Sequence, residues 1–320
     1  MKPHIDPKVD CVFKSILGKE ENKALLIHFL NAVLSRTSGV RIQDVQILNP
    51  YNEREFESDK LSVVDIKARD DQERSYQVEI QLALHPGLTA RMLYTWSTIY
   101  HDLIRKGQTF TSLQPVIAIW LLNESVFAGC HASHLPFEIM NREHGIVLSD
   151  HLQIHLLQLP DWHLQDNQQR EIDRWMFLFK EGQDVDVEHP PAILHTREMT
   201  QAIHVLQHIA ENEAEYLLYQ QRLEALQVEE TWKAELERLK EKTVRATLRE
   251  AQERQGKEEA KQREEQARQR EKEAKQREEQ AKQREEQAKQ REEQERREKE
   301  RLLELLKQAG IHPNIPSDGI

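Results

Sequence analysis

The run VIAIWLL, residues 116–122, constrains the fold of this chain more than any other stretch. It is far too short to span a bilayer, which takes about 20 apolar residues. Pro115 stands at its entry, where a strand tolerates a missing backbone donor. An unbroken apolar strand needs cover on both faces, so the run predicts a central strand in a sheet packed between helices.

The neighbouring segments fit that layering. Residues 20–36 set Leu26, Phe29, Leu30, Val33 and Leu34 on one helical stripe, with acidic residues in the first turn. VQILN (45–49) reads as a short strand. LSVVDIKARD and RSYQVEIQLA read as two strands joined by a polar turn near 70–73, a hairpin. Residues 88–106 have helical apolar spacing and stop at Gly107. HLQIHLLQLP (151–160) is a further strand, followed by an amphipathic helix over about 166–181. Helix, three strands, helix, strand, strand, helix is the order of an α/β fold, a mixed central sheet flanked by helices.

DVDVEHPPA (184–192) is a turn-rich break, and residues 195–245 carry only helical signals. The expected organisation is a sheet-centred domain over 1–185 and a helical region over 186–250. A charged heptad-repeat helix over 251–301 and a short tail over 302–320 follow.

The repeat is AKQREEQ, starting at Ala260, Ala274, Ala281 and Ala288, with ARQREKE at Ala267. It offers one alanine per heptad where a zipper needs two apolar positions. It does place Glu four residues before Lys, as in Glu278–Lys282 and Glu285–Lys289, among good helix formers. A solvated single helix is the expectation. The alternative, a coiled coil, would make the protein a homo-oligomer. Leu302, Leu303, Leu305 and Leu306 restore an apolar cluster at the end.

The net charge of −11 argues against a broadly polybasic nucleic-acid binder, though not against a local basic groove. Two cysteines, Cys11 and Cys130, are too few for a disulfide framework, and MKPHIDPKVD lacks the apolar core of a signal peptide. These features predict a soluble cytoplasmic protein.

The hairpin DIKARDDQERSYQVEIQ, residues 65–81, carries the chemistry. Strand parity puts Gln77, Glu79 and Gln81 on one face, opposite Tyr76, Val78 and Ile80; Asp65 and Lys67 likewise share a face. A hairpin symmetric about Gln72 sets Asp65 across from Glu79, with Cβ atoms about 5 Å apart. Two like charges so placed need a cation. The two carboxylates with the Ile80 carbonyl form a hard oxygen set suited to Mg²⁺, with Mn²⁺ as the alternative. Spacing alone favours an ordinary polar hairpin, since Glu and Gln are common on the solvent face of a strand.

Longer motifs add to this. DPKVDCVFKSILGKEENKALLIHFLNAVL, then Asp65, VEIQ, RMLY (91–94) and KGQTFTSLQPVIAI resemble, in order and spacing, the PD-(D/E)XK nuclease superfamily. The likeness is specifically to its Rpn-type, recombination-promoting, transposase-like branch, over residues 6–125. The resemblance implies a restriction-endonuclease-like core that cleaves DNA phosphodiesters with a divalent metal, in recombination or transposition. It implies Asp65 and Glu79 as the metal-binding pair, and Gln81 in the place of the usual lysine. Asp10 and Lys14 match the N-terminal motif, as a further acid and a cation near the scissile phosphate; helix capping and an exposed lysine is the other reading. Lys67, by its strand face, would point a charge into the site; Arg91 would contact phosphate or brace the acidic cluster, and Tyr94 would pack or give a supporting hydrogen bond. A non-enzymatic DNA-binding or scaffolding relative is the second functional expectation. His204 with His208 and His151 with His155 lack a third metal ligand in pattern, and no Gly-rich phosphate loop appears.

Overall fold

The computed structural model describes residues 4–37, 41–48, 65–104, 107–164, 170–308 and 310, with the side chains of residues 65 and 307 outside that set. The chain divides into two compact units, Met1–Thr231 and Trp232–Ile320. The expected strand residues 61–64, the helix start near 166 and the tail beyond 310 lie outside the described residues.

The first unit opens with α1 (Asp10–Leu17) and α2 (Lys23–Leu34). Between them the side chain of Asn22 donates to the Ser15 carbonyl at 2.7 Å and fixes the bend. At Gly18 a Cβ would lie 2.9 Å from the Lys14 carbonyl oxygen, so the helix can end tightly there only without a side chain. Strands β1 (Val45–Ile47), β2 (Asp65–Asp70) and β3 (Ser75–Gln81) follow. Then come α3 (Leu88–Asp102), β4 (Val116–Leu122), β5 (His134–Asn141) and β6 (Ile146–Gln158). The helices α4 (Glu171–Glu181) and α5 (Arg197–Glu211) complete the layers, and α6 (Glu213–Gln308) runs into the second unit.

The sheet has six strands in the order β1-β2-β3-β4-β6-β5. β1, β2 and β3 pair antiparallel, β4 lies parallel between β3 and β6, and β5 closes the far edge antiparallel. This is the mixed sheet of an α/β fold. The apolar run of β4 is buried at every position because both its faces are covered. On one face Ile66, Val78, Ile117, Ile119 and Leu121 pack with Phe13, Phe29, Trp175, Phe179 and Met199 from the helices α1, α2, α4 and α5. On the other face Ala118, Trp120, Leu122 and Leu156 pack with Leu88 and Met92 of α3. Residues 193–209 belong to the same core as the sheet.

One strand was not legible in the sequence. β5 carries Pro136 and a register shift near Ile139, and it forms a hairpin with β6, from Asn141 opposite Ile146 to His134 opposite Leu157. An edge strand with a proline and a bulge lacks clean alternation, so its signal is weak.

The second unit is helical to Gln308, and its side chains are exposed from residue 232 to 302. Ion pairs run along it as Glu264–Arg268, Glu271–Lys275, Glu278–Lys282 and Glu285–Lys289, at 2.7–2.8 Å. Each such exposed pair adds only a few tenths of a kcal/mol, so the repeat's helicity rests on many of them together with intrinsic propensity.

Candidate active site on the β2–β3 hairpin

Asp70 organises the turn that sets this site. Its Oδ1 accepts from the backbone N–H of Gln72 at 3.0 Å and of Arg74 at 2.9 Å. Its Oδ2 accepts from Arg74 Nε at 2.7 Å and from the Tyr76 hydroxyl at 2.9 Å. Burial, reinforced by the Asp70 charge, pushes the Tyr76 phenol well above its ordinary pKa, so Tyr76 stays a donor. Glu73 takes a left-handed φ of 61°, the residue strained by so tight a reversal. With the turn fixed, Asp65 pairs with Glu79, and Lys67 with Gln77, as strand symmetry predicts.

Parallel pairing with β4 continues the row, with Glu79 beside Trp120 and Gln81 beside Leu122. Glu79 therefore lies on the α3 face of the sheet and is only 2% exposed. A carboxylate so buried needs compensating donors. Gln77, fully buried, donates through Nε2 to Glu79 Oε1. Arg91, from the first turn of α3, places Nη2 at 3.4 Å from Glu79 Oε2 and Nη1 at 3.3 Å from Gln81 Oε1. Its guanidinium also lies 5.6 Å from the centre of the Trp120 ring, a cation–π arrangement. Gln81 turns its Nε2 to the Ala83 carbonyl at 2.8 Å, which leaves its amide oxygen facing Arg91.

The other expected site residues are placed as follows. Asp10 opens α1 and accepts from the Cys11 N–H at 2.8 Å, with Arg222 of α6 4.0 Å from its second oxygen. Burial raises its pKa; Arg222, the Cys11 N–H and Lys14 oppose that without cancelling it. Lys14 lies on the same helix, one turn on. Tyr94 is 74% exposed on α3, three residues beyond Arg91. The structure thus joins Glu79, Gln81 and Arg91 by contact, and Asp65 and Lys67 to them by register. It ties Asp10 to Arg222. Burial raises the Cys11 thiol to about 12, which makes it a poor nucleophile.

Two participants escaped the sequence reading. Gln77 had a signal, since it shares a strand face with Glu79. Trp120 had none, because its place beneath Arg91 depends on how β3 and β4 align.

The family model described as PD-(D/E)XK nuclease family transposase matches residues 7–238, well over half of the chain. The chain belongs to this family. The match reaches from before α1 into α6, so the family domain takes in α4 and α5 as well as the hairpin. No curated protein and no solved structure matches the chain. Among the described residues no helix is long and apolar enough to cross a membrane.

A divalent cation is the group that such a family implies. Among the described residues no three His, Cys, Asp or Glu side chains gather for a metal, but Asp65's side chain lies outside that set. The donor chemistry fits: a buried Glu79 carboxylate has an aspartate as its register partner, and both are hard oxygen ligands. Beside them, the buried Oε1 of Gln77 accepts no hydrogen bond among the described residues.

Proposed function

We propose that the protein is a Mg²⁺-dependent DNA endonuclease acting in recombination or transposition-like DNA exchange. One observation carries the reading: a nearly fully buried glutamate, Glu79, whose register partner is Asp65, inside a nuclease-family domain. A hydrophobic sheet face is a costly place for paired acids unless the pair has work to do.

Asp65 and Glu79 would hold the cation, with the Ile80 carbonyl as a third oxygen. When bound, the ion supplies an acidified water and charge at the phosphoryl oxygens. In the hydrolysis a water oxygen bonds to phosphorus as one P–O ester bond breaks; the attacking water gives a proton to solvent, and the departing sugar oxygen takes one from solvent and leaves as a hydroxyl. Gln81 is neutral and can only orient by hydrogen bonding. Arg91 supplies the positive charge that a lysine would bring at position 81, because its fork spans both Glu79 and Gln81. Lys67, on the same strand face as Asp65, and Lys14 are the other cations assigned to the phosphate.

The test is cleavage of plasmid DNA by the purified chain with Mg²⁺, Mn²⁺ or EDTA, beside Asp65→Ala and Glu79→Ala. Metal-dependent cutting lost in both variants supports the reading; cutting that survives both overturns it. Salt-sensitive DNA binding without cutting would favour a scaffolding relative.

A further inference from the structure

The second unit carries an apolar seam that the repeat lacks. Trp232, Leu236 and Leu239 are 72%, 54% and 51% exposed, on a helix whose neighbouring side chains are all exposed. With Thr243 and Ala246 they follow the alternating four-and-three spacing of a heptad's two core positions. The frame does not end there. Ala260, Ala267, Ala274, Ala281, Ala288 and Leu302 fall on the same heptad position as Trp232, and Leu306 on that of Leu236. On a lone straight helix a heptad frame drifts about 20° per heptad, so Trp232, Leu236, Leu239, Thr243 and Ala246 stay in one line only where a partner supercoils with them.

We propose that Trp232, Leu236, Leu239, Thr243 and Ala246 form the core of a parallel, in-register two-stranded coiled coil between two copies of this chain.

Flanking charges choose the partner and the direction. In the parallel pair Glu235 faces Lys240 of the second copy, and Lys240 faces its Glu235, an ion pair on each side of the seam. Lys242 faces Thr247, so no like charges meet in this stretch. An antiparallel pair with the same leucines in contact would set Lys233 beside Lys240, a repulsion that offsets its Glu235–Lys242 attraction, whereas the parallel pair carries the attraction alone.

The same rule ends the pairing. Arg249 would face Arg254, and through the repeat Arg263 would face Arg268, Arg270 would face Lys275 and Arg277 would face Lys282. The glutamates of the repeat are already paired within their own helix, as Glu264–Arg268 and Glu278–Lys282. The repeat therefore stays solvated while the seam zips. So short a core makes the dimer concentration-dependent, and two family domains then share one assembly.

The experiment measures the mass of the full-length chain by light scattering and sedimentation over a dilution series. A monomer–dimer equilibrium is expected. Leu236→Glu with Leu239→Glu should leave a monomer throughout, with the thermal transition of the first unit unchanged. Glu235→Lys or Lys240→Glu alone should weaken dimerisation about 10-fold, and the two together should restore it. Thr243→Cys should give a disulfide-linked dimer on mild oxidation, which the unsubstituted chain should not. A monomer at every concentration, or a dimer indifferent to the leucine changes, overturns the seam. Failure of the charge swap to restore pairing overturns the parallel register.

Discussion

The guanidinium of Arg91, on α3, lies 3.4 Å from Glu79 and 3.3 Å from Gln81, both on β3. A helix thereby delivers to the strand a charge that the strand's own sequence omits. Both contacts are long for charge-assisted hydrogen bonds, so the arginine is near the acid without being locked to it. Under the proposed function it would shift toward the phosphate as negative charge develops there.

Arg91→Ala should therefore cut turnover by about 10²-fold, the usual loss when one preorganised donor is removed. Arg91→Lys should recover only part, since an ammonium cannot span both side chains. Single-turnover cleavage rates read both effects.

The position of Arg91 also predicts a suppressor. Gln81→Lys places an ammonium where the Gln81 amide now meets the guanidinium. In the Arg91→Ala background it should restore cleavage, while in the native background the two cations compete. Equal rates for Arg91→Ala with and without Gln81→Lys would show that the arginine acts elsewhere.

Asp70 predicts a stability effect separate from catalysis. Its side chain is fully buried against Arg74 at 2.6 Å, so Asp70→Ala leaves a partly buried guanidinium and the buried Tyr76 hydroxyl without this partner. The expected cost is about 3–5 kcal/mol. For a unit of this size that lowers Tm by roughly 10 °C in calorimetry. Asp70→Asn keeps an acceptor and should cost less.

Acid sensitivity should arise from a buried histidine pair on β5 and β6. His134 Nε2 lies 2.9 Å from His155 Nδ1. Burial, with Arg36 and Arg170 nearby, lowers His134 to about 4; burial and His134 lower His155 to about 3. The folded state holds both neutral, whereas the unfolded chain takes up protons below pH about 6.5. Their contribution is complete above pH about 6.5 and is lost as pH falls toward about 4, at up to about 1.4 kcal/mol per pH unit for each histidine. Asp10, raised by burial, works in the opposite sense, favouring the fold at low pH. Denaturation midpoints measured from pH 7.5 to 4.5 should show the fall, and His155→Gln should flatten it.

Much of the site is legible in the sequence. Period-two alternation puts Glu79 and Gln81 on one face, and a turn at Asp70–Glu73 predicts the Asp65–Glu79 pairing, because both are local properties of a hairpin. β5 is not legible, since Pro136 and a bulge erase alternation at an edge. Nor is Gln77's bond to Glu79, which requires knowing that the face is buried.

By itself, then, the sequence determined the hairpin, its parity and register, the central strand and the solvated repeat. Each follows from side-chain periodicity over a few residues. Only the tertiary structure decided which face of the sheet α3 would cover, and so which cation would meet Glu79. That choice depends on packing Leu88 and Met92 against Trp120 and Leu122, contacts between residues 28 to 34 positions apart that no local pattern encodes.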